Sequence, residues 1–490
     1  MAGDVLLVRV RPWETRVALV DRNGRLQDFP LYRDRVIGAA GDVFLGRVKA
    51  VSTALDAAFV DIGQDRDGFL DLAEARPRPH AGPDAPRDRI SDHVHEGQAV
   101  LVQVLAEARA DKGAKLTRRV NVAGGHCVLT PGDPGVRISK RVADETERGR
   151  LRALVSPLLA TKEGVVVRSA AQHITEAALK EELAVLRTRW DAMETRAAHE
   201  TPPRLLSGET GFAMRFLLDR GWRDVARVVV DDGAAARALE AELTRAVLAL
   251  PGGVRRHGGG GGDIFAAHGV ADELAALLDP EVTLPGGGSL IVEETAALTA
   301  IDVNAGSGGA GGRGTDLALA VNLRAVAEAA RQMRLRNLAG LIVIDVLPMK
   351  GEGAPARVIG ALKDALARDP AGARVLGMTR GGVLEVVRPR RDAPLSEVLL
   401  AACPRCATGR APAPLTAGFT ALDRVLAEVW ANPSLVPSLA VPGPVAAALK
   451  NTERGRSALA EIEAKLGHAL NITVDDALDA DASRIDDERG

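Results

Sequence analysis

The chain has 490 residues, too many for one ordinary domain, and 46% of them are hydrophobic, enough to bury several cores. Its 63 basic and 65 acidic residues leave a formal charge of -2, which excludes a polycation that coats nucleic acid indiscriminately; any nucleic-acid contact must be local. There is no apolar run of about 18 residues, no secretory pattern in MAGDVLLVRVRPWE, and no disulfide framework among three cysteines, so the expectation is a cytoplasmic protein with no membrane span.

Leu6, Val8 and Val10 alternate on one face, ETRVALVD follows, and Asn23-Gly24 supplies a turn, which predicts a hairpin opening a β-sheet. From Gly41 the runs DVFLGRVKAV, DAAFVDIG and DGFLDL, and QAVLVQVLAE beyond a proline-rich stretch near residues 76–88, predict a small β-barrel. The pattern changes near residue 119. From Thr175, Leu179, Leu183, Leu186 and Trp190 recur at helical spacing and predict a helix with a buried stripe. Residues 203–250 read as further α/β structure, and RRHGGGGGD as a flexible loop. SLIVEETAALTAID and LAGLIVIDVL are apolar, β-rich runs. Between them lies a helix with Leu319, Leu323, Val326, Ala330 and Met333 on one side and Arg324, Glu328, Arg331 and Arg334 on the other. Such a strand, helix, strand unit predicts two parallel strands.

Asp302 and Asp345 each end one of these strands and are separated by 43 residues, room for a helical crossover. On neighbouring strands both carboxylates would project at the carboxyl edge of the sheet, where open α/β sheets place ligands, and share one cation. Hard oxygen donors favour Mg²⁺ over Zn²⁺. Asn304 points to the same side as Asp302 if extension persists, and could orient water or phosphate. Aspartates also end strands for turn and solubility reasons, so the pair alone does not decide. AGSGGAGGRG after Asn304 either approaches a phosphate or is a plain glycine-rich loop; without GK[ST] it is not a Walker loop. Cys403-Pro-Arg-Cys406 has the spacing of half a zinc site, and a redox CxxC is the competing reading. Phe44, Phe59 and Phe69 in one small barrel predict at least one exposed platform for base stacking, near a basic cluster of Lys112, Lys115, Arg118 and Arg119. Arg168 and Ser169 end the strand GVVV, where a guanidinium fork and a hydroxyl suit a terminal phosphate; an ordinary surface arginine is the alternative.

In order along the chain, GDVFLGRVKAVSTALDAAFVDIGQDRDGFL, DKGAKLT, GVVVRSA, LTAIDVNAG, NLRAVAEAARQMRLRNLAGLIVID and CPRC resemble the ribonuclease E/G family. LTAIDVN and RQMRLRNLAGLIVID are the specific part. The resemblance implies a multidomain α/β fold. A ribonuclease H-like subdomain (1–40 and 216–278) is interrupted by an S1 (OB-type) β-barrel (41–118) and a 5′-sensor region (119–215). A deoxyribonuclease I-like α/β catalytic subdomain (279–400), a zinc link (401–410) and a small C-terminal α/β domain (411–490) follow. It further implies that Asp302 and Asp345 bind catalytic Mg²⁺ beside Asn304, that Phe59, Phe69 and Lys112 grip RNA near the cut, and that Arg168 and Ser169 recognise a 5′-monophosphate.

By the same resemblance, Cys403 and Cys406 give two thiolates to a Zn²⁺ shared between two chains, making a homodimer or, by pairing of dimers, a homotetramer. The implied activity is Mg²⁺-dependent hydrolysis of single-stranded RNA in RNA processing, mRNA decay and rRNA maturation, stimulated by a 5′-monophosphate. Length and the C-terminal stretch resemble the shorter ribonuclease G type of the family, without a degradosome scaffold tail. Pro348 stands where the family tends to have an acidic residue, and CATGR departs from the usual glycine spacing. The alternative reading is an RNA-binding paralogue that uses the S1 barrel without chemistry; a DNA phosphodiesterase follows from fold analogy alone.

Overall fold

In the computed structural model the chain forms two compact units. Residues 3–488 are described, apart from 12, 34–39, 77–87, 107, 109–112, 208–210, 221–223, 247, 259–261, 307–313, 350–352, 368, 391–392 and 404–409. One unit comprises residues 35–227 and 234–254, the other 2–34, 228–233 and 255–490.

The first unit contains the expected barrel. Val43–Ser52, Ala57–Asp61 and Gly68–Asp71 pair antiparallel in succession. Gly68–Asp71 then pairs in parallel with Lys115–Thr117, which pairs with Ala99–Ala106, which returns to Val43–Ser52 and closes a ring of five strands. Closure removes the free sheet edge within the ring. Period-two alternation sends Val48, Val60, Leu70, Val102 and Leu116 into one core. Phe44 belongs to that core at 1% exposure, so it is no stacking platform. A Cβ on Gly68 would come within 2.4 Å of Leu116 Cδ1, so the ring closes this tightly because the position has no side chain.

Beyond the barrel, four strands stand in the order Val122–Ala123, Cys127–Pro131, Glu163–Val167, Gly135–Ile138. The predicted helix, Glu176–His199, shares a core with them. Thr175 caps it by accepting the Ala178 N–H at 3.3 Å. Leu179, Leu183 and Leu186 are buried as expected, while Trp190 is half-buried at the rim. The α/β reading of residues 203–250 also holds, with helix Phe212–Arg220, strand Val225–Val230 and helix Gly233–Arg245.

In the second unit Asp4–Arg11 pairs with Glu14–Val20, and Leu26–Asp28 returns beside the latter around a turn where Gly24 takes φ +78°. Asp231 donates its backbone N–H to Val8, so a segment some 220 residues downstream completes this N-terminal sheet. Residues 414–466 form three helices on a three-stranded sheet, Asn471–Val474, Pro437–Val441 and Arg484–Asp487.

The centre of this unit is a six-stranded mixed sheet. Its elements are β1 (Glu281–Thr283), β2 (Ser289–Glu294), β3 (Thr299–Asn304), α1 (Gly314–Leu335), β4 (Gly340–Asp345), α2 (Ala354–Leu366), β5 (Arg374–Met378) and β6 (Val383–Arg388), with strand order β1-β2-β3-β4-β6-β5. β3 and β4 are parallel neighbours joined through α1, as the strand, helix, strand reading predicts. Ile301, Val303, Ile342, Ile344, Leu384 and Val386 pack in one core with Val321, Ala325, Ala329 and Met333 of α1 and Val358, Leu362 and Leu366 of α2. Each of the valine, leucine, isoleucine and methionine side chains contributes about 1.5–3 kcal/mol on burial, so this face fixes the register of the sheet.

Candidate active site

That register decides where the aspartates go. Ile301 and Val303 are inward, so Asp302 and Asn304 between and beyond them face the other way; Ile344 is inward, so Asp345 faces outward. A slip of one residue in either strand would bury a carboxylate and expose an isoleucine. Asp302 and Asp345 are direct partners across the parallel pair, and both are exposed. The sequence expected two carboxylates at the carboxyl end of adjacent strands; the fold brings them together there. Asn304 donates from Nδ2 to Asp302 Oδ2 at 3.0 Å, which leaves its amide oxygen on the same side.

The two aspartates line a cleft of about 480 Å³ whose described walls include Val346, Leu347, Pro348, Met349, Pro355, Met378 and the turn Arg380-Gly381-Gly382. Two carboxylates and an amide oxygen are hard donors, and a set this small suits a cation that keeps several waters, as Mg²⁺ does. Among the described residues no group of three or more His, Cys, Asp or Glu side chains converges. The glycine-rich loop that follows Asn304 falls mostly outside the described residues.

One contributor escaped the sequence reading. Asn322, fully buried in α1, donates from Nδ2 to the Leu347 carbonyl at 2.8 Å and accepts the Leu347 N–H at Oδ1 at 3.0 Å. This two-point clamp fixes the backbone two residues beyond Asp345, at the cleft wall. An asparagine among apolar positions of a predicted amphipathic helix was the available signal.

On the barrel, Phe59 and Phe69 are register partners on neighbouring strands, half-buried, with ring centroids 6.0 Å apart in an edge-to-face arrangement. Their neighbours Ala58, Val60, Gly68 and Leu70 are buried, so the two rings share the outer wall. Lys112 lies outside the described residues. The rest of the expected basic cluster is engaged locally: Lys115 pairs with Asp71 at 2.9 Å, Arg118 donates to the His93 carbonyl at 2.9 Å, and Arg119 pairs with Glu74. Those arginines brace the barrel wall.

Arg168 and Ser169 follow the strand Glu163–Val167, where Ser169 begins a short 3-10 turn; both are half-buried. Arg168 Nη1 donates to the Leu218 carbonyl, which orients its guanidinium. Cys403 is half-buried directly after the strand Leu400–Ala402, which forms a hairpin with Arg410–Pro412; Cys406 lies outside the described residues. No described helix is long and apolar enough to cross a membrane.

Comparison with known proteins bears on these sites. The profile of the Ribonuclease E/G family matches residues 121–391, a span that includes the two aspartates and the Arg168-Ser169 pair. The chain is 34% identical to Ribonuclease G of Escherichia coli (strain K12) over 407 residues, 82% of this chain and 83% of that one. It is 32% identical to Ribonuclease G of Salmonella typhimurium over 477 residues, 96% of each. Similarity to Ribonuclease E of Nostoc sp. is 34% over 369 residues, which is 75% of this chain and 53% of the other.

Proposed function

The chain belongs to the ribonuclease E/G family, and from that premise we propose that it is a Mg²⁺-dependent endoribonuclease that hydrolyses single-stranded RNA at Asp302 and Asp345. The observation that carries the reading is the register pairing of these two exposed aspartates at the mouth of one cleft. Asp302 and Asp345 would hold the ion, with Asn304 orienting Asp302 through its 3.0 Å hydrogen bond. When bound, Mg²⁺ supplies charge neutralisation at the phosphate and acidifies a water molecule. The oxygen of water bonds to phosphorus, the P–O3′ bond breaks, and the proton lost by that water ends on the departing 3′ oxygen. The products are a 5′-phosphate and a 3′-hydroxyl.

Phe59 and Phe69 would stack bases of the strand being cut, a contact indifferent to sequence, with Lys112 on its backbone. Arg168 and Ser169 would bind a 5′-monophosphate and speed cutting. Cys403 and Cys406 of two chains would share one Zn²⁺ in a homodimer or dimer of dimers. Within the same reading, segments 1–40 and 216–278 form the ribonuclease H-like part, 119–215 the 5′-sensor region, 279–400 the deoxyribonuclease I-like part, 401–410 the zinc link and 411–490 the small C-terminal domain. Processing of rRNA precursors and mRNA decay in the cytoplasm are the roles that fit.

An oligoribonucleotide cleavage assay with and without Mg²⁺ tests the proposal. Asp302→Asn and Asp345→Asn should each abolish cutting while RNA binding persists. Cutting at the wild-type rate in both variants, or in excess chelator, removes the mechanism. A wild-type chain that binds RNA and never cuts it would instead favour the RNA-binding paralogue, with Pro348 in the cleft wall as the first position to question.

A further inference from the structure

We infer that Arg380 is a catalytic residue that grips the scissile phosphate, an inference that rests on the nuclease reading and adds an anion-binding group to it. Arg380 is the one cation among the described residues lining the Asp302/Asp345 cleft. It is exposed and makes no ion pair or hydrogen bond with any described residue, the two aspartates of its own cleft included. A guanidinium beside two carboxylates that pairs with neither keeps its donor fork for a third group.

The backbone under it is fixed. The turn from β5 to β6 is closed by the Thr379 N–H to the Val383 carbonyl at 2.8 Å, the Gly382 N–H to the Thr379 carbonyl at 3.0 Å, and the Val383 N–H to Thr379 Oγ1 at 3.2 Å. Gly382 takes φ +90°, which the turn needs and a side chain would disfavour. β6 is in turn the antiparallel neighbour of β4, with Val383 opposite Asp345, so one sheet register fixes the height of Arg380 against the aspartates.

Charge counting identifies the ligand class. Two carboxylates cancel one divalent cation, and the positive charge left over in the described lining is that of Arg380. A phosphodiester carries one negative charge, and a planar fork matches two of its oxygens. A group placed there gains strength as charge shifts onto the phosphate oxygens during displacement, so its effect falls on the rate more than on ground-state binding.

The test uses the full chain with Arg380, Arg380→Lys and Arg380→Ala. Melting temperatures should agree, since Arg380 bonds to no described residue. Cutting under single turnover should fall about a hundredfold in Arg380→Ala, well beyond a loss of RNA affinity of only about fivefold, and partly recover in Arg380→Lys, which keeps the charge and loses the fork. Binding is read in the Asp302→Asn background, where the RNA stays intact. There the slope of log affinity against log salt should shrink by about 0.7 in Arg380→Ala and hold in Arg380→Lys, as expected when a single phosphate is no longer neutralised by the protein. An unchanged slope overturns the proposal whatever the rate does. A wild-type chain that cuts no RNA sinks the nuclease reading instead, and the slope still decides Arg380.

Discussion

A buried asparagine in a helix is costly unless both ends of its amide find partners, and Asn322 finds both on Leu347. Replacing it with leucine keeps the number of heavy atoms and leaves the partly buried Leu347 N–H and carbonyl without their partner. Asn322→Leu should therefore lose about 2–4 kcal/mol in urea unfolding, and cutting should fall at least tenfold under conditions where the variant is folded. A stable, fully active variant would mean that the segment after Asp345 needs no clamp. Glu147 offers a second single-residue test. Arg150 donates to it at 2.7 and 2.8 Å and the His173 N–H at 3.0 Å, which holds His173 at φ +62° in the loop following Ser169. Those bonds, Arg150 first, hold its carboxyl at about 2, against an ordinary value of 4.5. Its folded pKa is depressed, so its stabilisation is complete above about 4.5 and is lost as pH falls toward 2. Wild type should exceed Glu147→Gln in stability at pH 7, and the difference should shrink through that acid window; a gap constant with pH would refute the assignment.

At the scale of elements, α1 shows what periodicity could and could not tell. Its apolar side is legible because Val326, Ala330 and Met333 repeat at helical spacing, and the two flanking strands are legible because they are short, apolar and carry an aspartate at or near the carboxyl end. Its polar side reads as solvated, yet Glu328 and Arg331 are buried at 4% and 7% exposure. Arg331 bonds Glu328 at 2.6 Å, the Leu26 carbonyl at 2.6 Å, and Glu273. Those partners lie up to 305 residues away, beyond the reach of any local pattern. Burial opposes ionisation of Glu328, but the bonds from Arg331 and Gln332 outweigh it and keep its carboxyl below the usual range. Arg331→Met should cost about 3–5 kcal/mol by leaving Glu328 buried without its main partner, and Arg331→Met with Glu328→Leu should recover part of that. Equal losses in the single and double variants, by urea unfolding, would show that packing and not charge sets the penalty. The barrel was legible for the same reason as the strands, and strand phase would have separated Phe44, inward with Val48, from Phe59, outward between Ala58 and Val60.

For the whole molecule, the cysteine count bears on the proposed assembly. Of three cysteines, Cys127 is buried beside Glu182, and burial first and that carboxylate second push its thiol well above the ordinary range. Burial beside a carboxylate disfavours the thiolate at this position. In the reading proposed above, Cys403 and Cys406 would be the thiolate donors, two where a structural Zn²⁺ takes four ligands, and a second copy would supply the same two. Native mass spectrometry of the purified chain should find one zinc per two chains. Cys403→Ser, or a strong chelator, should release both the metal and the dimer, while Cys127→Ala should leave stoichiometry untouched. A redox CxxC predicts otherwise: a metal-free chain with an internal Cys403–Cys406 disulfide, reversed by thiols, and a mass that does not respond to chelation. Those two outcomes divide on metal content alone, so the measurement decides between a shared thiolate site and a disulfide even where the oligomer is held by other contacts as well.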